Sequence, residues 1–304
     1  MKRVVSVSLG SSKRDHTVKV EILGETFEIS RRGTDGDFEK ALGLLRELDG
    51  KVDAIGLGGI DVYLYVREKR YAIADGLRLM AAVTRTPVVD GSGLKNTLER
   101  EAVRYLARET EYLPPGVKVL VVSAVDRFGM AEALAETGCD LVFGDLIFAA
   151  GIPYPIRSLE ELEEVAAKLL PEMVKLPIEK LYPIGQKQET RDVEKAQKFA
   201  PYYREAQVIA GDFHLIRRFL PEKLSGQLVL TNTTTREDVA LLKECGAGCL
   251  VTTTPEYEGR SFGTNVMEAV FVTLIGKPWE EITPGDYMEL LHRIDYRPRI
   301  TPLN

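Results

Sequence analysis

A strand, a polar loop, a helix and a second strand occur twice in this chain, 108 residues apart: VVSAVDRFGMAEALAETGCDLVF and VLTNTTTREDVALLKECGAGCLV. Ser123 to Gly138 and Thr231 to Gly246 are both 16-residue spans, each following an apolar run and ending in a glycine that opens the next one. A strand that returns parallel to its predecessor needs a crossover, usually a helix, so a repeated unit of this kind dictates a parallel sheet. The two copies are therefore expected side by side in one layer. Their loops then converge outside the carboxyl ends of the strands, where open α/β sheets bind ligands.

The rest of the chain fits that frame. Pro114-Pro115-Gly116 is the strongest helix stop in the sequence. After it, strands at Lys118–Ser123, Leu141–Phe143, Gln207–Ala210, Gln227–Thr231 and Cys249–Thr252 alternate with helical stretches. Before it come a hairpin through Val18 and Ile29, a helix over Phe38–Leu48 capped by Asp37, strands at Ala54–Leu57 and Pro87–Asp90, and a long helix from Leu94 to Tyr112. The expected fold class is α/β: a smaller N-terminal α/β domain at 1–113 and a Rossmann-like, mostly parallel domain at 114–304, with a helical insertion at about 152–205. That insertion, with helices near Leu159–Lys175 and Val193–Tyr203, is a candidate for covering the cleft or for a homodimer contact. The amphipathic helix Asp286–Ile294 is a candidate to return to the first domain.

Composition narrows the partners. A net charge of −6 argues against nucleic acid, and the basic cluster Arg67, Lys69, Arg70 is short and falls at a hairpin turn. The most apolar helical stretch, Val266–Ile275, carries Glu268 and is too short to span a bilayer. The basic start, MKRVVSVSLGSSKRD, has its apolar run broken by Ser6 and Ser8, unlike a secretory leader. Cys139, Cys245 and Cys249 are scattered, which fits reduced thiols and no metal site. The expectation is a cytoplasmic protein with a small-molecule substrate.

Four loops occupy ligand-binding positions in this frame: Ser123–Gly129, Gly144-Asp145, Gly211–His214 and Thr231–Thr235. Ala124–Gly129 lies on the G-x-G-x-x-G frame and keeps only its third glycine, Gly129. Asp145 follows Asp126 by 19 residues, where a dinucleotide domain keeps its ribose-binding acid. Asp126 stands at the second-glycine position and should repel a pyrophosphate. It is better reconciled with S-adenosylmethionine, or it caps the helix beginning near Phe128. Asn232, Thr233 and Thr234, ahead of a helix N-terminus, suit an anion, although Thr235 also reads as an ordinary cap. Thr252 opens a long polar segment running through Arg260 to Asn265. The cofactor-binding candidates are thus Ser123, Asp126, Gly129, Asp145, Asn232, Thr233, Thr234 and Thr252.

For proton transfer, His214 follows a strand directly and Asp212 beside it reads as an acid or a helix cap. His16 and His292 read as surface or packing residues. Asp90-Gly-Ser-Gly-Leu-Lys95 forms a strand end, a glycine turn and a helix start, which brings Asp90 and Lys95 together. Its spacing is not that of a Walker loop. Gly59 and Asp61 read as hairpin residues.

At VVDGSGLKNTLEREAVRYL, VSAVDRFGMAEALAETG, VFGDLIFAAGIPYPIRSLEEL and GDFHLIRRFLP the chain resembles a bacterial family commonly labelled quinate 5-dehydrogenase. The resemblance implies a Rossmann-type oxidoreductase that acts on a cyclic hydroxy acid with NAD(P). Shikimate and quinate dehydrogenases use a lysine and an aspartate, the latter in an N-T-D-G segment. Lys95 and Gly33-Thr-Asp35-Gly36 are similar, in reversed order and with Gly33 in place of the asparagine. The leading expectation is therefore an NAD(P)-dependent oxidoreductase with Lys95, His214 and Asp90 at the substrate. A transferase using S-adenosylmethionine and a non-catalytic metabolite-binding protein are the alternatives.

Overall fold

The computed structural model describes residues 1–181, 185, 190–254, 256, 257 and 260–303. The chain is α/β, with two largely parallel sheets. In the first, β1 (Lys2–Ser8) lies between β3 (Glu25–Gly33) and β4 (Ala54–Gly58), both parallel to it. The expected hairpin joins β2 (Thr17–Ile22) to β3 through Leu23 and Gly24, whose φ angles of 52° and 82° are the positive pair that matches strand twist in a two-residue turn. Helix α1 (Phe38–Leu48) is capped by the Asp37 carboxylate and buries Ala41, Leu42, Leu45 and Leu48, one face at helical spacing. A small hairpin, β5 (Tyr63–Val66) with β6 (Lys69–Ala72), and helix α2 (Ala74–Met80) lead to the edge strand β7 (Val88–Val89). The sheet order is β2-β3-β1-β4-β7. The long helix α3 (Ser92–Glu109) then carries the chain to the second sheet.

The second sheet holds both repeated units. The first is β8 (Lys118–Val121), α4 (Phe128–Glu136) and β9 (Asp140–Phe143). Helix α5 (Asp145–Ala150) follows, and then the insertion with α6 (Leu159–Met173), α7 (Ile178–Leu181) and α8 (Val193–Glu205). Then come β10 (Val208–Ala210) and α9 (Phe213–Arg218). The second unit is β11 (Leu228–Thr231), α10 (Arg236–Glu244) and β12 (Cys249–Thr252). A ribbon of β13 (Glu256–Tyr257) and β14 (Arg260–Ser261) precedes α11 (Thr264–Ile275), α12 (Pro284–Arg293) and β15 (Arg299–Pro302). In the order β15-β12-β11-β10-β8-β9, the two copies flank β10 and every pairing is parallel except that of β15. The central strands are buried on both faces, with successive residues feeding opposite cores. Val119 and Val121 join one hydrophobic cluster while Leu120 and Val122 join another, as the pleat requires.

Helices α11 and α12 pack on the first sheet. Phe271, Met267 and Val270 of α11 and Leu290 of α12 share a core with Val4, Phe27, Ala54 and Leu94. Among the described residues the chain passes between the sheets after α3, before α11 and before β15, and the insertion also reaches back to the first sheet. The sequence punctuation at Pro114 marks the first of these passages. Phe271 is 1% exposed. Phe271→Ala is expected to cost about 3–5 kcal/mol in urea unfolding; a loss below about 1 kcal/mol would show that α11 does not close the first sheet.

Candidate functional site

The carboxyl ends of the two sheets face each other across a cleft of about 990 Å³. Ser8, Gly58, Asp61 and Lys95 line one wall, and Ser123, Asp126, Asp212 and Asn232 line the other. Helix α5 and the insertion close one side, with residues of α5, α6 and the start of α8 in the lining. Gly185 bonds through its N–H to the carbonyl of Leu9 at 3.1 Å, which ties the insertion to the first sheet.

The local sequence dictates where Lys95 stands. Gly91 has φ 93°, and a Cβ there would come within 2.6 Å of the Asn265 backbone nitrogen, so the turn before α3 requires glycine. That turn starts α3 at the cleft, with Lys95 in its first turn and Glu99 one turn further on. The Lys95 Nζ lies 2.7 Å from Asp126 Oδ1 and 3.1 Å from Asp61 Oδ1. Arg127, beside Asp126, contacts Glu99 through one Nη and Asp212 Oδ2 at 2.9 Å through the other. Six charged groups from four elements and loops thus form one network along the cleft.

Burial works to raise the Asp126 carboxyl, but Lys95 and Arg127 outweigh it and hold Asp126 well below the usual range. Asp61 moves the other way, pushed far up by burial and by the neighbouring Asp126 charge. The two carboxyls thus shift in opposite directions although both lie against the Lys95 ammonium. Burial also pushes Glu99 up and His214 down. His214 is neutral near pH 7 and accepts from Arg14 Nη1 at its Nε2, 3.1 Å away, a contact between the two sheets' loops.

The structure brings Lys95, Asp126, Asp90, Ser123, Asp145, Asn232, Thr233, Thr234 and His214 to this one cleft. Several of them hold the protein itself together. Asp145 was expected at a ribose, yet its two oxygens accept from the backbone N–H groups of Ala124 and Val125 at 3.1 and 2.9 Å, clamping the β8–α4 loop. Burial pushes it up to about 6. Asp90 accepts from Val62 and Tyr63 N–H at 2.7 and 3.0 Å and from Ser92, which fixes the loop bearing Asp61. Asp212 caps α9 as read, and Thr235 forms a capping box with Asp238.

Other expectations are corrected. Gly129 lies outside the cleft lining, and a Cβ there would meet Asn96 of α3, so its missing side chain serves helix packing. Thr252 is buried in β12 and lies outside the cleft lining. Asp126 does not cap α4, whose N-cap is Arg127 with no side-chain cap bond. Arg260 has its side chain outside the described residues. His16, read as a surface or packing residue, lines the cleft and stacks on Phe262 at 4.8 Å between ring centroids. Asp61, Arg127, Glu99 and Arg14 were not singled out as site residues. The adjacency of Arg127 to Asp126 was the one local signal available. Among the described residues, no cluster of acidic, His or Cys side chains has the arrangement of a metal site, and no helix is long and apolar enough to cross a membrane.

Residues 93–303 match the family described as a domain of unknown function, DUF8754. The chain belongs to the DUF8754 family. Residues 3–90 match a second domain of unknown function, DUF8753, so the two matches meet between β7 and α3. No curated protein matches the sequence. Among solved structures, a galactofuranose binding protein is 13% identical over 97% of this chain and 99% of its own, with a TM-score of 0.36. A glucose-galactose binding protein from Geobacillus stearothermophilus is 11% identical over 99% and 97%, at 0.39. An NAD-dependent malic enzyme from Thermotoga maritima is 14% identical over 97% and 76%, at 0.33. Likeness at these scores carries no argument about the ligand of this cleft.

Glu268 of α11 supports the first turn of α3 from behind. Tyr287 donates to its Oε1 at 2.7 Å, and burial followed by the Asp90 charge pushes it up to about 7. The folded protein thus holds this proton more tightly than the unfolded chain does. The resulting stability is present below the ordinary glutamate range and is lost as pH rises through about 7, with Asp145 contributing in the same direction. Glu268→Gln is expected to flatten the fall in stability between about pH 5 and about pH 8; an unchanged slope in denaturant titrations would refute this assignment.

Proposed function

We propose that this chain is a binding protein for a small, hydroxyl-rich metabolite held between its two sheets, without a nucleotide cofactor. The observation that carries this reading is the ionised Lys95–Asp126 pair at 2.7 Å, which joins the two walls of the cleft with Asp61, Arg127 and Asp212 around it. A hydroxyl both donates and accepts, so a wall that alternates carboxylates with ammonium and guanidinium groups suits several hydroxyls at once. Such charge-assisted bonds are the strong ones. The groups that a dinucleotide would use are already committed. Asp145 serves its own loop, Asp126 stands where phosphate would approach, and Gly129 faces α3.

Calorimetric titration with hexoses, pentoses, quinate, NAD(H), NADP(H) and S-adenosylmethionine tests the reading. A hydroxylated metabolite is expected to bind alone, and Asp126→Asn to weaken it about ten- to a hundredfold. Thermal melts of the same variant separate lost affinity from lost folding. Tight dinucleotide binding with hydride transfer to a hydroxy acid would overturn the proposal in favour of the oxidoreductase. Preference for the sulfonium ligand would favour the transferase.

A further inference from the structure

Helix α6 carries two apolar stripes, one fully buried and one only partly covered, with Val165 of the second also touching the core and Ala166 and Leu170 of the first also reaching the cavity. Leu162, Ala166 and Leu170 are buried in the main hydrophobic cluster. Val165, Leu169 and Met173, again at four-residue spacing, line the cleft. Leu169 is 44% exposed, and Leu146, Ala149 and Ala150 of α5 line the same cavity. A surface helix normally shows one apolar stripe and a polar opposite face. The second stripe is continuous with the charged wall at Lys95 and Asp126, because one cavity contains both. Its volume of about 990 Å³ lies at the top of the range of roughly 300–1,000 Å³ that encloses drug-sized ligands. A lone sugar ring or short hydroxy acid would occupy a fraction of it.

From this juxtaposition we infer that the ligand is bipartite: a hydroxylated polar head against Lys95, Asp126 and Asp212, joined to an aliphatic or aryl group lying between α5 and α6. The inference rests on the reading of the cleft as a small-molecule site and specifies the ligand class. Burial of each methylene in such a groove strengthens binding about three- to fourfold.

The test uses two probe series below their micelle-forming concentrations, 2-hydroxyalkanoates and 1-O-alkyl glucosides of rising chain length, titrated into the full chain by calorimetry. Affinity in at least one series is expected to climb with each methylene. Leu169→Ser, which adds no charge, should flatten that climb, with thermal melts separating lost affinity from lost folding. Short members that bind as tightly as long ones would overturn the bipartite ligand but leave the cleft as a binding site. Failure of every member to bind, together with failure of hexoses and quinate, would overturn both. If sedimentation shows a dimer that Leu169→Ser dissociates, the stripe belongs to a second copy of the chain and the inference falls.

Discussion

The pairing of Lys95 with Asp126 sets the geometry of everything near the cleft. Removing charges from water costs several kcal/mol per ion unless partners and hydrogen bonds replace the lost hydration. Here the replacement comes from across the molecule: Lys95 and Glu99 belong to α3, Asp61 to the loop after β4, and Asp126, Arg127 and Asp212 to loops of the second sheet. The charges are satisfied only when both sheets stand in this arrangement. The network thereby adds to the shared hydrophobic core, which includes strands of both sheets, in holding the two walls in place.

This explains why a loop on a nucleotide-binding frame lacks the nucleotide-binding glycines. A glycine at position 126 would open the backbone to a phosphate, but it would also remove the nearer of the two carboxylates that hold the buried Lys95, leaving Asp61 at 3.1 Å. Asp126 and Arg127 instead turn the loop into a contact with α3. The packing of Gly129 against Asn96 extends that contact along the helix pair. The loop after β8 thereby also serves as a contact to α3, on the first sheet's side.

The parallel sheet was legible because its signals are local: apolar strands of five or so residues, glycines closing helices, and a repeat with conserved spacing between its own two copies. The hairpin at Leu23-Gly24 and the cap at Asp37 were legible for the same reason. The site was only half legible. Lys95, Asp126 and His214 stood out as charged or titratable groups at strand ends, but their partners lie far off in sequence. Arg14 reaches His214 across 200 residues, and Asp61 reaches Lys95 across 34. Asp145 shows the converse limit. Its spacing from Asp126 placed it correctly at the tip of β9, whereas the two backbone N–H groups that occupy it depend on how the loop folds back.

Pairing also decides what the cleft offers a ligand. Lys95 is paired with Asp126 and Asp61, and Arg127 with Glu99 and Asp212, so each cation of the wall already has carboxylate partners. A strongly charged ligand would have to break existing pairs to gain new ones, while hydroxyl groups can add to them. Polar recognition on one side and the partly covered stripe of Val165, Leu169 and Met173 on the other then ask the same thing of a ligand, namely directional hydrogen bonds at one end and apolar contact at the other.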